Sequence, residues 1–290
     1  MRAFVPAYEL VAPATLAVAL DLLAGGWTPM AGGTDLMVQF EAGKLRSMRL
    51  VGLWKLAELR GIVETPEFIA LGALTTYTDV RRSAVLAREF PLLVEAARLT
   101  GGVQTQNRGT LAGNIMNASP AADSPPVLMV YDAQLELVSA GGTRRVPYHG
   151  FHTGYKQTGL ASNELLRSIR LPRPAPGARH YYRKVGTRAA QAISKVVFAG
   201  VAWMDGGVVR DIRIAVGSVA PAVLRCLEAE TGLRGRPLDP GVVARARDTL
   251  AGEIAPIDDF RSTARYRRQV AGNLLEEFLD SLLSQRRFHR

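Results

Sequence analysis

Apolar positions first recur at helical spacing in ATLAVALDLLA (14–24), where Leu16, Leu20 and Leu23 share a face and Gly25-Gly26 closes the run. A short strand-like piece, WTPMA, leads through Gly32-Gly33 into an apolar run from Leu36 to Phe40. That order predicts a strand, a glycine turn and a helix start, with Gly43 as the stop. FIALGALTTYTDV predicts a strand and then a helix capped by Thr78 or Asp79. Pro91 suits the first turn of a helix over PLLVEAARLT, which Gly101-Gly102 ends. VLMVYDAQLELVSAGGTRRVPY predicts a strand, a Gly-Gly turn and a short return strand, and ELLRSIRLP (164–172) a further strand.

The segment RPAPGA (173–178) carries no period and is the best candidate for a domain boundary. Beyond it HYYRKVG and KVVFAGVAW predict strands, and VAWMDGGVVRDIRIAVG a hairpin turning at Asp205-Gly206-Gly207. Three helices are expected next: one from Pro221, one around VVARARDTLAG, and a long one from about Ser262 with Val270, Leu274, Phe278 and Leu282 on one stripe. Both parts are α+β, and there is neither a repeat nor a low-complexity tract.

Composition narrows the class. The 290 residues are 48% hydrophobic and 21% charged, as in a globular protein with a sizeable core. The formal charge is +10, carried by 31 arginines and only five lysines. The arginines are scattered and no recognition motif accompanies them, so a solvated surface explains the charge better than a nucleic-acid interface. Cys226 is the one cysteine. The chain therefore holds no internal disulfide, cysteine-ligated iron–sulfur cluster or multi-cysteine zinc site, and Cys226 reads as a helical core residue. MRAFVPAYEL lacks a signal-peptide pattern, and no run approaches 18 apolar residues. A cytoplasmic location without a transmembrane segment is expected.

Candidate chemistry is equally selective. GxxxxGK[ST], GxGxxG and GxSxG are all absent. His149 and His152 in HGFH are three apart, but no third metal ligand is near. What remains are two segments of glycine and small residues, AGGTDL (31–36) and GGVQTQNRGTLAGN (101–114). Each offers backbone N–H groups that no side chain obstructs, and such groups bind phosphate oxygens without a formal cation. Thr34, Asp35, Thr110 and Asn114 add short polar contacts. Two such segments in one domain suit a diphosphate bound from two sides.

AGGTDL, NRGTLAGNIMNASPAADSPP, GYKQTGLASNELLRSIRLP, YYRKVGTRAAQAISKV and DDFRSTARYRRQVAGNLL occur in that order along essentially the whole chain. Together they resemble the FAD-binding medium subunit of the molybdenum hydroxylases, the xanthine dehydrogenase and carbon monoxide dehydrogenase family. The resemblance implies a vanillyl-alcohol oxidase/PCMH-type FAD domain of two α+β subdomains over 1–175. A second domain over 179–290 would pair a three-stranded antiparallel sheet with a three-helix bundle. It further implies that Met30, Ala31, Gly32, Gly33, Thr34, Asp35 and Leu36 hold the FAD diphosphate, with Thr110, Leu111, Ala112, Gly113 and Asn114 as the second contact. Ala112 stands where the family often has glycine. Thr100 and Gly102 would join the site, Asp123 would accept hydrogen bonds from ribose or backbone, Leu166 would pack near the adenine or ring system, and Lys184 would lie by the isoalloxazine. Tyr181 and Tyr182 are open between stacking on the ring and packing in the core. Implied partners are a large molybdopterin subunit and a small [2Fe–2S] subunit, in a dimer of heterotrimers, with this chain relaying electrons to NAD, a quinone or another acceptor. The rival within the same fold is a stand-alone flavin oxidase or dehydrogenase, for which no substrate-side acid or base is evident.

Overall fold

A computed structural model describes residues 7–188 and 191–283 of the chain. The beginning of MRAFVPAYEL, where a signal peptide was considered, lies outside the described residues.

The N-terminal unit holds two sheets. A three-stranded parallel sheet places Arg49–Gly52 between Glu9–Val11 and Thr28–Met30. A five-stranded antiparallel sheet runs in the order Ile62–Glu64, Phe68–Gly72, Leu165–Pro172, Gln134–Ser139, Gly142–Pro147. Helix Leu16–Ala24 buries Leu16, Leu20 and Leu23 as its spacing requires, with Thr15 as N-cap. Pro91–Leu99 begins on its proline, as expected.

Two local expectations are corrected here. The helix Tyr77–Arg82 is capped by Thr76, neither by Thr78 nor by Asp79. Thr76 Oγ1 accepts from the Asp79 N–H at 3.1 Å, and Asp79 Oδ2 accepts from the Thr76 N–H at 2.9 Å. This reciprocal box puts the acidic residue three positions inside the helix. VLMVY is no strand: Pro125–Val130 is a helix, and the strand begins at Gln134. Every residue of that helix is buried, so its apolar run carries no period by which helix and strand differ. The paired prolines at its first turn favour the helix.

The C-terminal unit is a sheet ordered Arg179–Val185, Val196–Asp205, Val208–Gly217, Leu224–Arg225, with helices Leu227–Leu233, Pro240–Glu253 and Ala264–Leu283. The three long strands and three helices follow the sequence pattern, and the two-residue fourth strand is an addition. It displaces the helix expected from Pro221, which begins only at Leu227 because Leu224–Arg225 pairs with Ala215–Val216 first.

This sheet is covered on both faces. Along the central strand, Val196, Phe198 and Ala202 enter the core shared with the three helices, whereas Ala199, Val201 and Trp203 enter the core of the N-terminal unit. A Cβ on Gly200 would lie 2.5 Å from the Phe278 ring, so glycine lets the last helix close onto the strand. The first strand alternates likewise. Tyr181 stacks on Phe278 with centroids 5.6 Å apart, while Tyr182 turns to the N-terminal unit. Cys226 is fully buried at the N-cap of Leu227–Leu233, and burial pushes its thiol well up, leaving it inert. Among the described residues, no helix is long and apolar enough to cross a membrane.

Candidate functional site

The parallel sheet ends at Met30, whose carbonyl accepts from the Leu53 N–H at 2.9 Å. The chain then turns through Ala31–Asp35 into the helix Leu36–Glu41. Gly33 sits at φ +77°, in the left-handed region that glycine enters without strain. Gly32 is required for another reason. A Cβ there would lie 1.7 Å from the Arg108 carbonyl oxygen, so this turn packs backbone to backbone on the second glycine segment. Among the described residues, nothing accepts a hydrogen bond from the N–H groups of Gly32, Gly33, Thr34 or Asp35. Consecutive free amides next to a left-handed glycine are the arrangement from which backbone anion sites are built. The side chains of Met30 and Leu36 instead pack with Phe40 and Leu50, anchoring the turn. Asp35 accepts from the Gln39 side chain and does not cap the helix.

The second segment does not offer the unobstructed run of N–H groups expected of it. It forms two short helices, Val103–Arg108 and Leu111–Asn117, joined at Gly109. Thr110 caps the second: its hydroxyl takes the Gly113 N–H at 3.0 Å and its carbonyl the Asn114 N–H at 3.0 Å. The Leu111 N–H goes to Thr75 O, also at 3.0 Å. Most of the amides here are therefore already used. Ala112 is an ordinary buried helical residue, absent from the left-handed positions. Leu111 is wholly buried beneath it. Asn114 Oδ1 accepts from Ser124 Oγ at 2.6 Å, leaving its amide NH2 uncommitted. A Cβ on Gly109 would lie 3.4 Å from Thr34 Oγ1, a second point where the two segments meet.

A buried ion pair lies at the seam with the C-terminal unit. Lys184 Nζ donates to Asp123 Oδ2 at 2.6 Å and to Leu99 O at 2.9 Å, with the two side chains only 5% and 9% exposed. Strand alternation puts Lys184 on the same face as Tyr182, whose hydroxyl donates to Asp123 O at 3.2 Å. Burial pushes the Asp123 carboxyl up, opposed by Lys184, Ser194 and Thr100. An ammonium has three N–H donors, and Lys184 commits two, so one is uncommitted. Thr100 also bonds Ala96 O, and Gly102 leaves room for Gln191, the amide of which a Cβ would meet at 2.9 Å. Leu166 is 1% exposed, in the core of the five-stranded sheet.

The structure thus brings Gly32–Asp35 against Arg108–Thr110, and brings Thr100, Asp123 and Lys184 together. Three contributors were not anticipated: Ser194, Ser124 and the Trp54 platform. Arg108 and Arg60 lie over the Trp54 ring at 3.8 and 4.6 Å, which concentrates positive charge one residue beyond the Leu53 N–H that bonds Met30. Scattered arginines and lone serines give no sequence signal for such pairings. Of HGFH, His149 is exposed and His152 bonds Ile115 O at 2.8 Å through Nε2. Among the described residues no group of three or more His, Cys, Asp or Glu side chains could hold a metal.

The family described as FAD binding domain in molybdopterin dehydrogenase matches residues 6–174, and that of the CO dehydrogenase flavoprotein C-terminal domain matches 180–282. The chain belongs to the FAD-binding subunits of the molybdenum hydroxylases. It is 32% identical over 278 residues to the xanthine dehydrogenase FAD-binding subunit of Escherichia coli O157:H7, covering 93% of this chain and 94% of that one. It is 31% identical to the carbon monoxide dehydrogenase medium chain of Hydrogenophaga pseudoflava, covering 95% and 97%. Among solved structures, carbon monoxide dehydrogenase from H. pseudoflava superposes with a TM-score of 0.91 at 32% identity, over 94% of this chain and 96% of that chain. The flavoprotein subunit is thus an oxidoreductase component with an FAD-binding domain followed by the family's C-terminal domain. The residues fit that cofactor: the free amides of Gly32–Asp35 suit anionic oxygens, the Asp35 carboxylate beside them is bonded to Gln39, and Lys184 keeps a third ammonium donor while paired with Asp123.

Proposed function

We propose that this chain is the electron relay of a molybdenum hydroxylase. The observation that carries the reading is the backbone contact of Gly32 on Arg108, which sets a row of free amides beside the capped helix Leu111–Asn117. In this reading Gly32–Asp35 bind the FAD diphosphate through their N–H groups, with Met30, Ala31 and Leu36 fixing the turn. Thr110, Ala112, Gly113 and Asn114 form its second wall, and Leu111 and Leu166 support that wall from the core. Lys184, held by Asp123 and the Leu99 carbonyl, offers its remaining N–H to the flavin. Thr100 and Gly102 border the same end. FAD, when bound, takes up electrons and passes them on singly or in pairs. This chain's part is to bind it, orient it, and place a cation where reduction adds negative charge.

The relatives are named as subunits and medium chains of multi-subunit dehydrogenases. By extension, the partners of this chain are a large molybdopterin subunit and a small [2Fe–2S] subunit, two such heterotrimers pairing. The chain divides near residues 173–178, between the two matched families. The final acceptor is NAD, a quinone or another oxidant, and the location is cytoplasmic. In an anaerobic stopped-flow test, the FAD-loaded chain is expected to stay oxidised with organic substrates alone and to be reduced once a reduced [2Fe–2S] partner is added. Substrate-driven reduction of the lone chain would contradict the relay.

A further inference from the structure

Asp123 belongs to the N-terminal unit, yet both its carboxylate oxygens are held from beyond residue 180. Oδ2 accepts from Lys184, and Oδ1 accepts from the Ser194 hydroxyl at 2.6 Å. Ser194 is fully buried, and its carbonyl accepts from Ser218 Oγ at 2.9 Å. Ser218 lies at φ +67°, a conformation that a residue with a Cβ adopts only when its surroundings impose it. They do so from three sides. Its N–H donates to Pro120 O at 2.7 Å, its hydroxyl to Ser194 O, and its carbonyl accepts from Arg267 Nη1 at 2.9 Å. The same Nη1 reaches Lys195 O at 3.3 Å, so one guanidinium grips the segments on both sides of the Ser194–Ser218 bond. Arg267 stands on the last helix, 4% exposed, and Asp259 holds its Nη2 at 2.8 Å. The path Arg267–Ser218–Ser194–Asp123–Lys184 is unbroken from the C-terminal helix to the Lys184 ammonium.

We propose that Arg267, Ser218 and Ser194 are positioning residues that fix the Lys184–Asp123 pair against the flavin, so that the C-terminal unit tunes the FAD that the N-terminal unit binds. The proposal rests on the reading that Lys184 faces the flavin. Its physical basis is that a lysine stem is flexible, and a buried ion pair holds its geometry only when the remaining oxygen of the carboxylate is also bonded. Ser194 supplies that bond, and Arg267 and Ser218 fix where Ser194 stands.

The test uses the whole FAD-loaded chain and reads flavin reduction potential, visible absorption bands and FAD affinity, with melting of the flavin-free chain measured alongside. Ser194→Ala is expected to make the potential more negative, shift the flavin bands and weaken FAD binding about two- to tenfold, the loss expected for one buried hydrogen bond. Arg267→Met should move all three readouts in the same direction, and Arg267→Lys should recover part of the shift. Wild-type potential and bands in Ser194→Ala and Arg267→Met, with only the melting temperature lowered, would overturn the proposal. Lys184→Met separates the two levels. If it shifts the potential while Ser194→Ala does not, the positioning role of Arg267, Ser218 and Ser194 alone is wrong. If it too leaves the potential unmoved, the placement of Lys184 at the flavin fails, and the positioning path with it.

Discussion

Two glycine segments, similar in sequence, meet in this protein and do opposite things with their backbones. AGGTDL leaves four consecutive N–H groups free around a left-handed glycine. GTLAGN spends its amides on Thr110 and Thr75, as a capped helix start. In the proposed reading the first receives the anionic diphosphate, and the second is the wall against which it is set by the Gly32–Arg108 contact. Glycine content alone does not distinguish them; the threonine placed just before the second run does, because it supplies a cap that the first lacks.

This contrast can be broken by substitution. The largest effect is expected for Gly32→Ala. Its Cβ would meet the Arg108 carbonyl at 1.7 Å, so the segments must part. Purified protein should carry no flavin by absorbance ratio, and its urea midpoint should fall by the equivalent of about 3 kcal/mol. Gly33→Ala comes next. The left-handed backbone costs an L-residue about 1–2 kcal/mol, so FAD affinity should drop while the fold persists in circular dichroism. Thr110→Ala removes a cap, for a stability loss of about 1 kcal/mol in denaturant titration, and Thr110→Ser should restore it. Its effect on FAD should be smaller than that of Gly33→Ala, and the reverse order would exchange the roles of the two segments. The smallest change is Ala112→Gly, under about 1 kcal/mol of stability with FAD affinity unchanged. Tighter FAD binding in that variant would mean the second segment needs a freedom that alanine denies it.

Much of the fold could be read from period and punctuation. Helix Leu16–Ala24, the Asp205–Gly207 hairpin and the long last helix each show a clear stripe or turn. The failures have separate causes: full burial that erases the period, a strand too short to show one, and a capping box that sets the acidic residue inside its helix. Pro125–Val130 is apolar throughout, so its VLMVY run reads as a strand although it is a helix. Leu224–Arg225 is too short to announce itself and exists through its pairing with Val208–Gly217. The family was legible as a pattern of motifs, and the candidate segment Gly32–Asp35 also as chemistry. Tyr181 and Tyr182 could not be assigned because their sheet has two buried faces; pairing parity sends one to Phe278 and the other to Asp123. Ser194 and Arg267 gave no signal, because their roles arise from contacts 71 and 49 residues away in sequence.

The central claim is that free amides at Gly32–Asp35 hold the cofactor while the Thr110 helix start is already satisfied. Amide hydrogen exchange on the flavin-free and FAD-loaded chain tests it most directly. The account predicts strong slowing at residues 32–35 on adding FAD, with the amides of Gly113 and Asn114 protected before FAD is present and changing little. Slowing confined to Gly113 and Asn114, with exchange at 32–35 unaffected, would contradict it.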